Sequence, residues 1–203
     1  MSPTKTDLKK TYKALFAPKA EPQIVTVPPL PYLMIDGKGA PESPAFSEAI
    51  AALYPVAYAI KFHCKTARGF DFVVPPLEAL WWADDWGAFV AGDRAVWQWT
   101  AMIMQPEQVT VADLAVALAA LDKKKKKHPD HDRLRLATLE EGTAVQVLHT
   151  GAYSAEGPVI AAMHAFAAAA GFTLSGKHHE VYLSDARRTA PEKLKTVLRQ
   201  PLV

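Results

Sequence analysis

Two short runs carry carboxylates in settings where a carboxylate does chemistry. His179-Glu180-Val181-Tyr182-Leu183-Ser184 and Leu77-Glu78-Ala79-Leu80-Trp81-Trp82 each read as a strand with one glutamate near its start. Side chains alternate along a strand, so Glu180 and Tyr182 share one face, and Glu78, Leu80 and Trp82 share another. The apolar pair Val181 and Leu183 is expected to meet the helices, which leaves Glu180 and Tyr182 facing a cleft. Among aromatic rings the charged form of a carboxylate is disfavoured, so its pKa rises. Such a group serves as general base or acid near neutral pH, or pairs with a cationic ligand. The plainer alternative is a surface glutamate paired with Arg187 or Arg188. If the two runs are equivalent halves of a repeat, Glu78 faces Glu180 across the cleft, and one becomes an acid and the other a base. Otherwise Glu78 only orients a neighbour.

All five tryptophans, Trp81, Trp82, Trp86, Trp97 and Trp99, fall within nineteen positions. Each alone reads as core, but together they exceed what one small core needs, and indoles stack on planar ligands and on cations. Trp97 and Trp99 are placed on one face of one strand, and Trp86, in an Asp-Asp-Trp-Gly loop, reads as a lid. The ligand-binding set is therefore Trp81, Trp82, Trp97, Trp99 and Tyr182, joined by His149. That histidine is either a partner of the site or a satisfied core residue. Tyr153 follows Gly151 in a turn, where its hydroxyl either reaches a ligand or its ring packs on the next helix, and it joins Glu180 and Glu78 as a candidate catalytic group. Tyr58 reads as core.

Other chemistries find less support. His178 and His179 are neighbours on a strand and point to opposite faces, which suits chelation poorly. His128-Pro129-Asp130-His131 lacks a second ligand cluster, so no metal is expected. Cys64 has no arranged partner and reads as inert. Gly37-Lys38-Gly39-Ala40 lacks the spacing of a nucleotide loop, and no cofactor is expected. The run Lys123–Lys127 reads as a solvated helix end.

A chain of 203 residues, half of them apolar, suffices for a core without disulfides or metal. The net charge of +2 is too small to imply a nucleic-acid surface. A single cysteine fits a reducing cytoplasm, the polar start lacks a secretory signal, and no apolar stretch is long enough for a membrane span. Sixteen prolines, clustered at Pro28/Pro29/Pro31, Pro41/Pro44 and Pro75/Pro76, punctuate element ends.

Periodicity predicts helices over Asp7–Phe16, Ala45–Ala59 (kinked at Pro55), Val111–Leu121 (capped by Thr110), Pro158–Ala170 and Pro191–Leu198. It predicts strands over Ile24–Val27, Tyr32–Ile35, Phe70–Val74, Leu77–Trp82, Val96–Met104, Arg133–Thr138, Thr143–Thr150 and His178–Leu183, with Asp36–Gly39 as a turn. This is one α+β domain over 1–203, in which β-α-β-β units repeat at about 22–104 and 133–203.

Gly151-Ala152-Tyr153, a helix, then Glu180-Val181-Tyr182-Leu183-Ser184-Asp185 resembles the second half of GyrI-like small-molecule-binding domains. Tyr32-Leu33-Met34-Ile35-Asp36-Gly37-Lys38-Gly39, Pro76 to Trp82 and Trp97-Gln98-Trp99 resemble the first half of the stand-alone branch. The resemblance spans roughly residues 5–203. It implies a duplicated fold of SHS2 type with antiparallel sheets lining a central ligand cleft. It also implies a pocket for apolar, often cationic, aromatic compounds, with a central glutamate that matches Glu180. Some stand-alone members resemble hydrolases that open the cyclopropane of DNA-alkylating natural products, others bind drugs as sensors, and the founding member inhibits DNA gyrase. Three readings follow: a detoxifying cytoplasmic hydrolase, a drug-sequestering binder without chemistry, and, on fold analogy alone, a gyrase partner.

Overall fold

The computed structural model describes residues 5–84 and 94–203. The element order is β1 (Lys5–Thr6), α1 (Leu8–Thr11), α2 (Lys13–Phe16), β2 (Gln23–Val27), β3 (Leu30–Lys38), α3 (Pro44–Ala67), β4 (Asp71–Phe72), β5 (Glu78–Trp82), β6 (Gln98–Met104), α4 (Val111–Lys123), β7 (Arg135–Leu139), β8 (Gly142–Thr150), α5 (Gly157–Ala169), β9 (His178–Tyr182) and β10 (Lys195–Pro201). The class is α+β. Apart from the short parallel pair β1–β4, every pairing recorded between these strands is antiparallel. The described residues fall into two compact units, one made of 5–11, 30–75, 82–84 and 94–139, the other of 12–29, 76–81 and 140–203.

In the first unit β3 is flanked by β6 and β7. Five of the first six residues of β3 are buried, on both faces, and α3, whose buried residues include Phe46, Ala49, Leu53, Val56 and Ile60, packs against the strand. Ser43 caps α3 by accepting from the Phe46 N–H, and Thr110 with Asp113 forms a capping box on α4. The helix runs through Pro55 and on to Ala67, beyond the predicted end at Ala59. The strand likewise runs through the predicted turn to Lys38. Gly37 explains that extension. It lies directly opposite Trp99 on β6, whose indole closes over it, and a Cβ at Gly37 would sit 2.1 Å from Trp99 Cη2.

In the second unit the order is β2-β8-β10-β9-β5. Helix α5 packs Met163 and Ala167 onto Val145, Val147, Leu198 and Leu202. Burying each such large side chain contributes about 1.5–3 kcal/mol. The predicted helix over Pro191–Leu198 is overturned: one 3-10 turn at Pro191–Lys193 leads into β10, the strand between β8 and β9. Thr196 to Pro201 are buried on both faces, so the alternation that marks a half-exposed strand is missing there.

The close approach at Gly37 gives a stability prediction. Gly37→Ala is expected to lower stability by about 1–3 kcal/mol in guanidinium unfolding, because Trp99 must shift. Adding Trp99→Leu should make the alanine nearly neutral; equal penalties in both backgrounds would refute this account.

Candidate functional site

The register of β9 decides what faces what. Glu180 pairs with Leu198 on β10 and Ala79 on β5, Tyr182 pairs with Thr196, and His178 pairs with Trp81. Directly paired residues share a face, so His178, Glu180, Tyr182, Trp81, Thr196 and Leu198 lie on one face. Thr196 also pairs with His149 on β8, which extends the row to His149–Thr196–Tyr182. Leu198 belongs to the core under α5, so this helix packs on the face that carries Glu180. That corrects the expectation that Val181 would meet the helix. Glu180 nonetheless stands beside Ala79, the smallest side chain in its row.

The Trp81 indole N–H donates to the Tyr182 hydroxyl at 3.0 Å, and the Glu180 carboxylate, two residues earlier on the same face, acts on that phenol. The Glu180 side chain keeps only 15% of its surface exposed, and His178 Nε2 lies 3.5 Å from its Oε1. Burial first, then the Glu180 charge and hydrogen bond, hold the Tyr182 phenol well above the ordinary tyrosine pKa. Tyr182 therefore remains a proton donor to the carboxylate at neutral pH.

Tyr153 completes the group. Its ring meets that of Tyr182 edge-on, with centroids 5.8 Å apart at 82°. The residue stays 39% exposed. Burial, then the charges of Glu156, Glu180 and Asp185, raise its pKa to about 12. The turn that presents it is held by His149, whose Nε2 lies 3.2 Å from the Ala152 carbonyl oxygen. Gly151 has φ 145°, and a Cβ there would come within 3.2 Å of the His149 ring. Glycine is what lets the turn close over the imidazole. His149 thus supports the turn that carries Tyr153.

Glu78 has a different place. It pairs directly with Val181, so it lies on the face opposite Glu180, and the two carboxylates do not confront one another. Its Oε2 lies 3.0 Å from His179 Nε2, and His179 Nδ1 lies 3.0 Å from Glu141 Oε1. Arg199 Nη1 donates to Glu141 Oε2 at 3.1 Å, Arg199 Nε donates to Gln146 Oε1 at 3.2 Å, and Arg199 Nη2 donates to the Leu15 carbonyl at 3.0 Å. Gln146 donates to the Ala14 carbonyl at 2.7 Å. His179 is fully buried and Glu78 is 1% exposed. Burial alone would lower the His179 pKa, but the charge and hydrogen bond of Glu141 and the bond to Glu78 outweigh it and lift it to about 9. Burial would likewise raise Glu141, yet His179 and Arg199 bring it down to about 2. His179 is an imidazolium that donates to two carboxylates, which makes this cluster a structural clamp.

The remaining tryptophans lie in the first unit, save Trp86, which falls outside the described residues. Trp99 is 1% exposed, beside Gly37 and edge-on to Phe46 at 5.1 Å, a core position. Trp97 precedes β6 instead of sharing a strand face with Trp99, is partly buried and has the Arg94 guanidinium 5.6 Å from its ring. Trp82 closes β5 and is partly buried. Sequence reasoning missed His179 as a clamp, together with Glu141 and Arg199. The signal was an arginine inside the apolar run Thr196-Val197-Leu198-Arg199-Gln200-Pro201, masked by the helical reading of that segment. Among the described residues, no group of three His, Cys, Asp or Glu side chains is arranged to hold a metal, and no helix is long and apolar enough to cross a membrane.

Comparison with known proteins gives three kinds of finding. Residues 20–203 match the family model of the GyrI-like small molecule binding domain. No curated protein matches the chain. Among solved structures, an uncharacterized conserved protein from Listeria innocua is similar at 41% identity and a TM-score of 0.91, over 98% of this chain and all of that one. Two structures of Listeria innocua proteins described as hydrolases are similar at 39% and 40% identity, with TM-scores of 0.87 and 0.89, over the same shares of each chain.

The clamp predicts a pH dependence of stability. The His179 contribution is complete below its unfolded pKa of 6.5 and is lost as pH rises through about 9. The Glu141 contribution is present above its unfolded value of 4.5 and is lost as pH falls toward about 2. Urea unfolding at stepped pH should give a plateau between these limits and a decline on either side. His179→Leu, which leaves two carboxylates buried without their shared cation, is expected to cost about 3–5 kcal/mol at pH 6. An alkaline decline of unchanged size in that variant would rule out His179 as its source.

Proposed function

The chain belongs to the GyrI-like small-molecule-binding family, and from that premise we propose that it is a hydrolase of reactive, flat, apolar or cationic small molecules. The substrate class is compounds bearing a strained, activated cyclopropane, and the role is detoxification. The observation that carries this reading is the row from Trp81 through Tyr182 to Glu180, with the part-exposed Tyr153 beside it. The relatives described as hydrolases at about 40% identity support it.

In this mechanism Glu180 is the general base. It takes a proton from a water molecule while the water oxygen bonds to the electrophilic ring carbon. The strained carbon–carbon bond breaks, and its electron pair passes into the conjugated system of the substrate, onto an oxygen that gains negative charge. The Tyr153 hydroxyl, still protonated at neutral pH, donates a hydrogen bond to that oxygen. The proton held by Glu180 then passes to that oxygen, so that the ring is opened with the hydroxyl of the water on the carbon and its proton on the oxygen. Tyr182, held by Trp81, fixes the carboxylate through the cycle. Glu78 leaves the catalytic set and Trp99 the ligand set.

The second reading is a binder that sequesters such compounds unchanged, favoured by the small-molecule-binding character of the family itself. One experiment separates the two. The protein is incubated with a cyclopropane-bearing alkylator, with ligand uptake followed by tryptophan quenching and ring-opened product by mass spectrometry. The hydrolase reading expects turnover that falls by about 10²–10⁴-fold in Glu180→Gln while quenching by a neutral ligand persists. Saturable quenching without product in wild type supports the binder. Turnover unaffected by Glu180→Gln would discard the assignment of the base.

A further inference from the structure

Glu180 has a second neighbour that the mechanism above leaves idle. His178 stands two residues before it on β9, on the same face, and is 5% exposed. Its Nε2 lies 3.5 Å from Glu180 Oε1, near enough for an ionic contact but without hydrogen-bond geometry, and this buried nitrogen has no other hydrogen-bond partner among the described residues. A buried polar atom with no partner is costly, commonly by about 1–3 kcal/mol, so its retention calls for a reason. Catalytic hydrogen bonds are often long or poorly aligned in the empty enzyme and tighten when substrate binds.

We propose that His178 is a positioning residue for Glu180: its Nε2–H turns onto Oε1 when ligand binds and aims the other carboxylate oxygen at the attacking water. This inference rests on the hydrolase reading for its rate effect but not for the contact itself. Glu180 is then held from both sides along one strand, by Tyr182 two residues after it and by His178 two residues before it. Each contact removes rotational freedom from a side chain that must meet water at a fixed angle. The groups facing His178 are few. Glu180 and Tyr182 share its face of β9, Trp81 lies opposite on β5, and Thr196, Leu198 and Gln200 bring no charge from β10. From α5 comes His164, electrostatically coupled to His178 and carrying a buried Nε2 that likewise has no hydrogen-bond partner among the described residues.

The test compares His178→Leu, which removes the donor, with His178→Gln, whose amide N–H occupies much the same place without titrating. With the cyclopropane-bearing substrate, kcat should fall about tenfold or more in the leucine variant with KM little changed, and should recover most of that loss in the glutamine variant. Equal kcat in all three proteins, or equal damage in both variants, overturns the proposal. If wild type itself shows no turnover, the hydrolase reading fails and the contact is judged separately by NMR in the presence of a flat aromatic ligand that quenches tryptophan. The Glu180 carboxyl carbon resonance should then respond to ligand in wild type and His178→Gln but not in His178→Leu, and the same response in all three overturns the contact. Should the leucine variant not fold, the His178 Nε2–H proton resonance is compared with and without ligand in wild type and Glu180→Gln. Ligand should move it downfield clearly further in wild type, and the same response in both proteins overturns the proposal.

Discussion

The arrangement turns on one buried ion cluster and the strand that it pins. His179 lies between Glu78 and Glu141, both essentially without solvent, and Arg199 closes the charge balance from the neighbouring strand. A strand that slips by one residue presents its whole side-chain set to the wrong face. In β9 such a slip would drive an imidazolium into the core under α5 and bury Val181 against two bare carboxylates. The penalty for an uncompensated buried charge is what makes the register unambiguous. Once residue 179 points one way, residues 178, 180 and 182 must point the other. The stretch His178–Tyr182 thus divides by parity, with His179 at an odd position in the clamp and Glu180 and Tyr182 at even positions on the opposite face.

Energetically the two faces are built on opposite terms. On the clamp face the imidazolium has two acceptors, Glu141 has two cationic donors, and Arg199 reaches Gln146 and a backbone carbonyl as well. The other face leaves donors and acceptors partly unspent, with a phenol aimed at a carboxylate and a histidine nitrogen without a hydrogen bond. Unsatisfied polar atoms concentrated on the face of a strand that is rigidly held from behind are characteristic of a site that completes its bonding with something else.

Much of this was legible from the residues. Glycine, proline and cap signals bound most elements, and alternation and turn position single out Glu180, Tyr182, Trp81 and Tyr153. What escaped had a common cause. Lys195–Pro201 is buried on both faces, and a strand of that kind carries no period-two signature, so its lysine-flanked start read as a helix. With β10 misassigned, Arg199 had no strand to sit on, and the partners of His179 and Glu78 were out of view. The internal similarity of the two halves suggested that matching glutamates face each other. Pairing of β5 with β9 puts them in adjacent rows on opposite sides, an outcome fixed by register and invisible to residue counting.

The reach of Arg199 and Gln146 to the carbonyls of Leu15 and Ala14 has a practical consequence. The family match starts at residue 20, beyond those carbonyls. A protein trimmed to that boundary would strip acceptors from a guanidinium and a carboxamide already sealed away from water. The opening segment is therefore a plug for the underside of the sheet, and shortening it would be felt first in the alignment of β9.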